Sequence, residues 1–130
     1  MVFPALTAFY GALLGLLFVA LSVWVSMARV RYRVHHGDGG QVPLQRRIRI
    51  QANFAEYVPF ALLLIGWNEA AGTEAGTVRG LLIALLAARI AHPFGMVAPE
   101  GSVQQFALRA PAMMATWAVL LTASGLLLFR

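Results

Sequence analysis

"RIRIQANFAEYVPFALLLIGW", Arg47 to Trp67, begins with two separated arginines and ends as an almost unbroken apolar run. A helix needs roughly 20 mostly apolar residues to cross a bilayer, and this stretch has that length. An acid and an amide, Glu56 and Asn53, sit near its head, where exposure to lipid is costly. If the stretch spans a membrane, the rest of the chain must supply the solvent or the partners that those polar groups require.

Composition favours the membrane reading. Hydrophobic residues make up 60% of the 130 and charged residues only 12%, about half the share of an ordinary soluble domain. The mean hydropathy is +0.74, and so small a soluble chain cannot bury that much apolar surface. The length suits a single domain, residues 1–130. There is no cysteine, which excludes a disulfide framework, a thiolate metal site and a cysteine nucleophile. The net charge is +5 and every basic side chain is Arg. That charge clusters beside apolar segments, which argues for a membrane boundary rather than nucleic acid.

Three further runs match the first. Residues 3–28 carry no charge and lack a basic start and a small-residue cleavage pattern, so they are expected to remain as a helix rather than leave as a signal peptide. Residues 78–97 and 103–129 complete four spans with 47–67. "NEAAGTEAGT" reads as a turn between the second and third. "APEGS" separates the third from the fourth, with Ser102 as a candidate N-cap. The expected fold is all-α, an antiparallel four-helix bundle. The connection from Arg29 to Arg47 holds five arginines, while the opposite connection holds Glu69, Glu74 and Arg79. The positive-inside rule places the first loop in the cytoplasm and both termini outside. His35 and His36 are adjacent on a loop with one Asp, which is a poor ligand set, so no metal is expected.

Ionisable groups inside the spans are the candidates for function. Arg49, Asn53 and Glu56 follow an i, i+4, i+7 spacing, which puts them on one helix face over about 10 Å, expected to point inward. Arg89 and His92 share a face of the third helix, and Arg109 lies near the start of the fourth. All sit towards the same end of the bundle. A purely structural reading has Arg49 reaching to the headgroups and Glu56 paired with Arg49 or Arg89. That reading leaves three arginines against one glutamate, and an anionic ligand would balance the set. Gly11 and Gly15 form a GxxxG pair suited to close helix contact. Pro59, Pro93 and Pro111 are candidate kinks, and Met113 and Met114 read as packing. A transporter reading is weaker, because the first span holds no glutamate.

"RIQANFAEYVP", Arg49 to Pro59, resembles the second-helix signature of the MAPEG family, membrane-associated proteins in eicosanoid and glutathione metabolism. The matching positions are Arg49, Asn53, Glu56, Tyr57 and Pro59, with Gln51 matching some members. "ARIAHPFG" resembles the third-helix motif through Arg89 and His92. "ALRAP" places Arg109 at the position of the family's catalytic arginine, and Arg29 resembles another arginine that contacts glutathione. The resemblance covers nearly the whole chain. It implies a homotrimer with glutathione, the co-substrate, bound between subunits on the cytoplasmic side. Arg49, Gln51, Asn53, Glu56 and Tyr57 would hold the tripeptide, with Arg29, Arg89 and His92 contributing and Arg109 at the sulfur. The implied activity is a glutathione transferase or peroxidase acting on a lipophilic substrate that arrives from membrane lipid. The alternative is a non-catalytic protein that binds glutathione or another small anion, or a structural or regulatory trimer. Met96 stands where some eukaryotic members carry Tyr, and Val30 where they carry a second Arg. With its lysine-free composition, the chain is more similar to bacterial members, which implies an inner-membrane location.

Overall fold

A computed structural model describes residues 1–130. Four helices account for most of them: α1 (Ala5–Tyr32), α2 (Val42–Ala70), α3 (Ala75–Val97) and α4 (Val103–Leu128). All four are long and apolar enough to cross a membrane. α1, α2 and α3 run longer than the apolar spans themselves, and α4 stops one residue short of its own. In particular, α1 continues through Arg29 and Arg31, and α2 starts at Val42 with a proline in its first turn. Proline suits that position because the missing N–H would be unpaired there anyway. The arginine-bearing connection is therefore only residues 33–41, shorter than expected from the sequence, and Arg46 and Arg47 belong to α2.

Short connections fold consecutive helices back on one another. α2 and α3 form the middle of the bundle. Each touches α1 and α4, and α1 makes no contact with α4. The core comprises residues such as Leu14, Ile50, Ile65, Leu82 and Leu85, none of them measurably exposed. Only 25 of 130 residues are buried. Large side chains such as Phe60, Trp67, Ile83, Phe94 and Trp117 face outward, which water would not tolerate at this density and lipid does. The helices run on through Pro59, Pro93 and Pro111.

Helix ends are finished by side chains. Ser102 accepts from the Gln105 amide at 3.2 Å, as its place before α4 predicts. The same Gln105 accepts from the Gly101 amide at 2.8 Å, so the two ends brace one another. Glu74 caps α3, accepting from the Gly76 and Thr77 amides at 3.0 Å each. α1 has no cap of its own; Pro4 precedes it. Glu69, at the far end of α2, supplies the acceptors instead. Its carboxylate takes the Leu6 and Thr7 amides at 2.8 Å and the Thr7 hydroxyl at 2.7 Å.

Two sequence expectations change here. Asn68, read as part of the turn, is helical and fully buried. Its amide donates to the carbonyls of Leu64 and Ala123, both at 2.9 Å, which bolts α4 to α2. The Gly11–Gly15 pair does not bring helix backbones together. A Cβ on Gly11 would meet only the Leu62 side chain at 3.7 Å, and one on Gly15 would meet nothing within 4 Å.

Glu69→Ala is expected to fray the first turn of α1 and cost about 1–2 kcal/mol, the usual worth of a lost cap. Hydrogen exchange should accelerate at the Leu6 and Thr7 amides first. Hydrogen bonds from the Gly76 amide and from the Thr77 hydroxyl and amide hold the Glu74 carboxyl below the usual carboxylate range. Its cap therefore stabilises α3 above the ordinary glutamate pKa and is lost as pH falls through the lowered folded value. The acid limb of thermal unfolding should be shallower in Glu74→Ala than in the native chain.

Candidate functional site

The polar residues that share one end of the bundle divide into an inward group and an outward group. Arg89 on α3 is only 1% exposed, and it is the largest fully buried side chain. Its Nη2 donates to Asn53 Oδ1 on α2 at 2.7 Å. Its Nη1 lies 3.9 Å from the Met113 sulfur on α4. The guanidinium also stands 5.7 Å from the centre of the Phe54 ring, within the range of a cation–π attraction. No carboxylate touches it. Arg89 therefore braces Asn53 and not Glu56, and Met113 is one of its partners as well as a packing residue. His92, one turn on, is 2% exposed. Its Nδ1 and the Arg89 Nε have no hydrogen-bond partner within the chain.

The outward group departs from the sequence reading. Arg49 and Glu56 share a face with Asn53, as the spacing requires, but that face does not point into the bundle. The two side chains are 56% and 54% exposed, and they form an ion pair at 3.6 Å. Asn53 is half-buried at the edge of this face, so its amide can turn inward to Arg89. Tyr57 is also half-buried. Arg109 on α4 is exposed and makes no ion pair within the chain. It lines a shallow cavity with Gln105, Phe106, Ala110 and Met113. Met113 thus stands between buried Arg89 and exposed Arg109.

The remaining predicted residues have partners inside the chain. Arg29 donates to the Gly37 carbonyl at 2.7 Å and so ties the connecting loop to α1. Gln51 donates to the Ser22 hydroxyl at 2.8 Å, and that hydroxyl donates to the Phe18 carbonyl. Gln51 therefore fastens α2 to α1. Within the chain, the structure brings together Arg89 with Asn53 and Arg49 with Glu56. It does not bring Arg29, Gln51 or Arg109 into contact with either pair. No cluster of three metal-ligating side chains exists.

One positioning residue was not evident from the sequence. At Gly95 the backbone of α3 lies directly against that of α4. A Cβ there would overlap the Arg109 backbone nitrogen and stand 2.8 Å from its Cα. "HPFG" contains this glycine, but nothing local indicates which helix presses on it. The chemistry available is clear from the inventory. Two arginines and a glutamate are presented outward, and a guanidinium held by neutral partners lies behind them. Such a surface suits a ligand that carries both carboxylates and an amine.

Gly95→Ala should push α4 off α3 and move Arg109 with it. A loss of about 1–3 kcal/mol is expected for this kind of overpacking, read as a lower unfolding midpoint in detergent.

Comparison with known proteins agrees with this architecture. The MAPEG family model matches residues 7–129. The inner membrane protein YecN of Escherichia coli K12 is 39% identical over 115 residues, spanning 88% of this chain and 84% of that protein. YecN from an O6:H1 strain of the same species matches to the same extent. A match over almost the entire length, on a chain of four membrane-length helices, makes this protein a member of the MAPEG family.

Proposed function

We propose that the protein is a membrane-bound glutathione-dependent transferase or peroxidase, working as a homotrimer with its site between subunits. The observation that carries this reading is the outward pair Arg49 and Glu56. Both are more than half exposed within a helix of membrane-spanning length. Facing lipid, such a pair is expensive. Facing a second copy across a water-accessible seam, it becomes a ready recognition surface. Family membership supports the trimer, and it supports the tripeptide as the molecule recognised there.

In this reading, Glu56 takes the amino group of glutathione, and Arg49 takes a carboxylate with the fork geometry that guanidinium offers. Asn53, its oxygen held by Arg89, presents both amide hydrogens to the ligand. Tyr57, Arg29, Gln51 and His92 complete the lining from the same and adjoining helices. Arg109 stands at the sulfur. A nearby fixed positive charge lowers a thiol's pKa, and arginine supplies one without giving up its own proton. The thiol proton leaves to solvent. The thiolate then forms a carbon–sulfur bond with an electrophilic carbon as the leaving group departs. With a hydroperoxide it attacks the terminal oxygen instead; the O–O bond breaks and the alcohol leaves after taking a proton from solvent, and a second glutathione displaces water from the resulting sulfenic acid to give the disulfide. The second substrate is lipophilic and enters from the bilayer. By the positive-inside rule the arginine-rich end is cytoplasmic, which puts both termini in the periplasm of an inner-membrane protein. That orientation gives the site access to the reducing compartment.

Calorimetric titration with glutathione, combined with thiolate absorbance, tests the reading. The native protein should bind glutathione at millimolar or lower concentration and give a thiolate signal. Arg109→Ala should keep most of the binding, lose the signal, and slow turnover of an aryl halide by about 100-fold, as for loss of one preorganised charge donor. Binding without a thiolate signal in the native protein would identify a binding module. No binding would remove the glutathione reading, and a fully active monomer would remove the intersubunit site.

A further inference from the structure

A second candidate site lies on the opposite side of α1 from the glycine pair, along the seam between α1 and α3. An apolar groove of about 430 Å³ runs there, between Leu17, Ala20 and Leu21 on one side and Ile90, Pro93 and Phe94 on the other. From Leu17 to Trp24 and from Ile90 to Val97 it extends about 10 Å along each helix. Trp24 and Val97 close its end, and the same two residues begin a second cavity of about 350 Å³. That cavity is lined by Val42, Pro43, Arg46 and Arg47. The two cavities therefore adjoin at Trp24 and Val97, an apolar trough next to a cationic mouth.

The mouth is built rather than incidental. Arg47 Nη1 donates to the Trp24 carbonyl at 2.8 Å, and its guanidinium lies 4.6 Å from the centre of the Trp24 ring. This holds the charge over the junction and leaves its other N–H groups free. Arg46 is beside it, and no acid balances either residue, since the chain's one ion pair is Arg49–Glu56. None of these residues belongs to the set assigned above to glutathione. Trough and mouth together fit a molecule with an apolar chain and an anionic head.

We infer that this feature is a binding site for an anionic phospholipid, with one acyl chain in the α1–α3 groove and the phosphodiester at Arg46 and Arg47. A zwitterionic choline lipid would bring its own cation to a mouth that already holds two. A helix from another protein could fill the trough but would need acids placed to meet both arginines. The site stands independently of the glutathione reading.

Native mass spectrometry of the detergent-purified protein, offered dioleoylphosphatidylglycerol or dioleoylphosphatidylcholine, reads the inference directly. Phosphatidylglycerol should be retained in preference, by roughly fivefold for each arginine engaged. Arg46→Gln should lower that preference by about fivefold. Arg47→Lys keeps the charge and should change it less. Ala20→Trp fills an exposed position in the trough and leaves both arginines in place, so it should displace phosphatidylglycerol without unfolding the bundle. Equal retention of the two lipids would overturn the proposal, as would indifference to Arg46→Gln or Ala20→Trp. Displacement of the lipid by millimolar inorganic phosphate would show that the head alone is recognised and would overturn the role of the groove. If no lipid is retained and Ala20→Trp instead changes the oligomeric mass, a second copy covers the groove and the proposal fails.

Discussion

A charged guanidinium without an acid partner lies buried inside one end of this bundle. Arg89 is buried where α2, α3 and α4 meet, and its neighbours are an amide, a sulfur and an aromatic face. Removing a charge from water is expensive unless other groups replace the lost solvation. Here that replacement is spread over two neighbouring helices, so none of the three can rotate without exposing the cost. A carboxylate at the same place would satisfy Arg89 completely. A neutral set leaves it a net positive charge close to the surface that presents Arg49, Glu56 and Arg109.

The arrangement of the helices extends this constraint outward. α1 and α4 never touch, so the bundle has two separate flanks instead of a closed ring. Charge on the outer face of α2 and on α4 is therefore presented to whatever lies alongside, while the α1 flank remains apolar except at its arginine-bearing mouth. Gly95 governs one flank by setting how closely α4 approaches α3. Trp24 governs the other by holding Arg47 against α1. One glycine and one tryptophan thus set the positions of two arginines that have no acid partner, Arg109 and Arg47.

Much of this was legible from the sequence, for a physical reason. Membrane spans and caps are local properties, so an apolar run or a serine before a helix carries its own signal. That is why the four helices and the Ser102 cap follow from reading along the chain. Helical spacing also shows that Arg49, Asn53 and Glu56 share a face. It does not fix the rotation of that face about the helix axis, which depends on packing with distant residues. The face therefore points outward where an inward direction was expected, and only Asn53, at its edge, reaches Arg89. Asn68 is a similar case. Its importance lies in the Ala123 carbonyl, 55 residues away, so beside Gly and Thr it reads as a turn. GxxxG was visible as a motif, but the close approach occurs at Gly95, and nothing along the chain names α4 as the helix that meets it.

Lipid gives helices little hydrophobic reason to prefer one sliding position over another, so polar contacts must choose it. The seam between α1 and α2 has three such contacts, at Glu69 with Leu6 and Thr7, at Gln51 with Ser22, and at Arg47 with the Trp24 carbonyl. They are spaced unevenly along the two helices and differ in chemistry. A slip of one helical turn, about 5.4 Å, would offer Gln51 another serine, Ser26, and Arg47 another carbonyl, but it would take the Glu69 carboxylate off the Leu6 and Thr7 amides, which are unpaired only in the first turn of α1. The seam therefore works as a vernier with a single matching mark, and α1 seats in one register only.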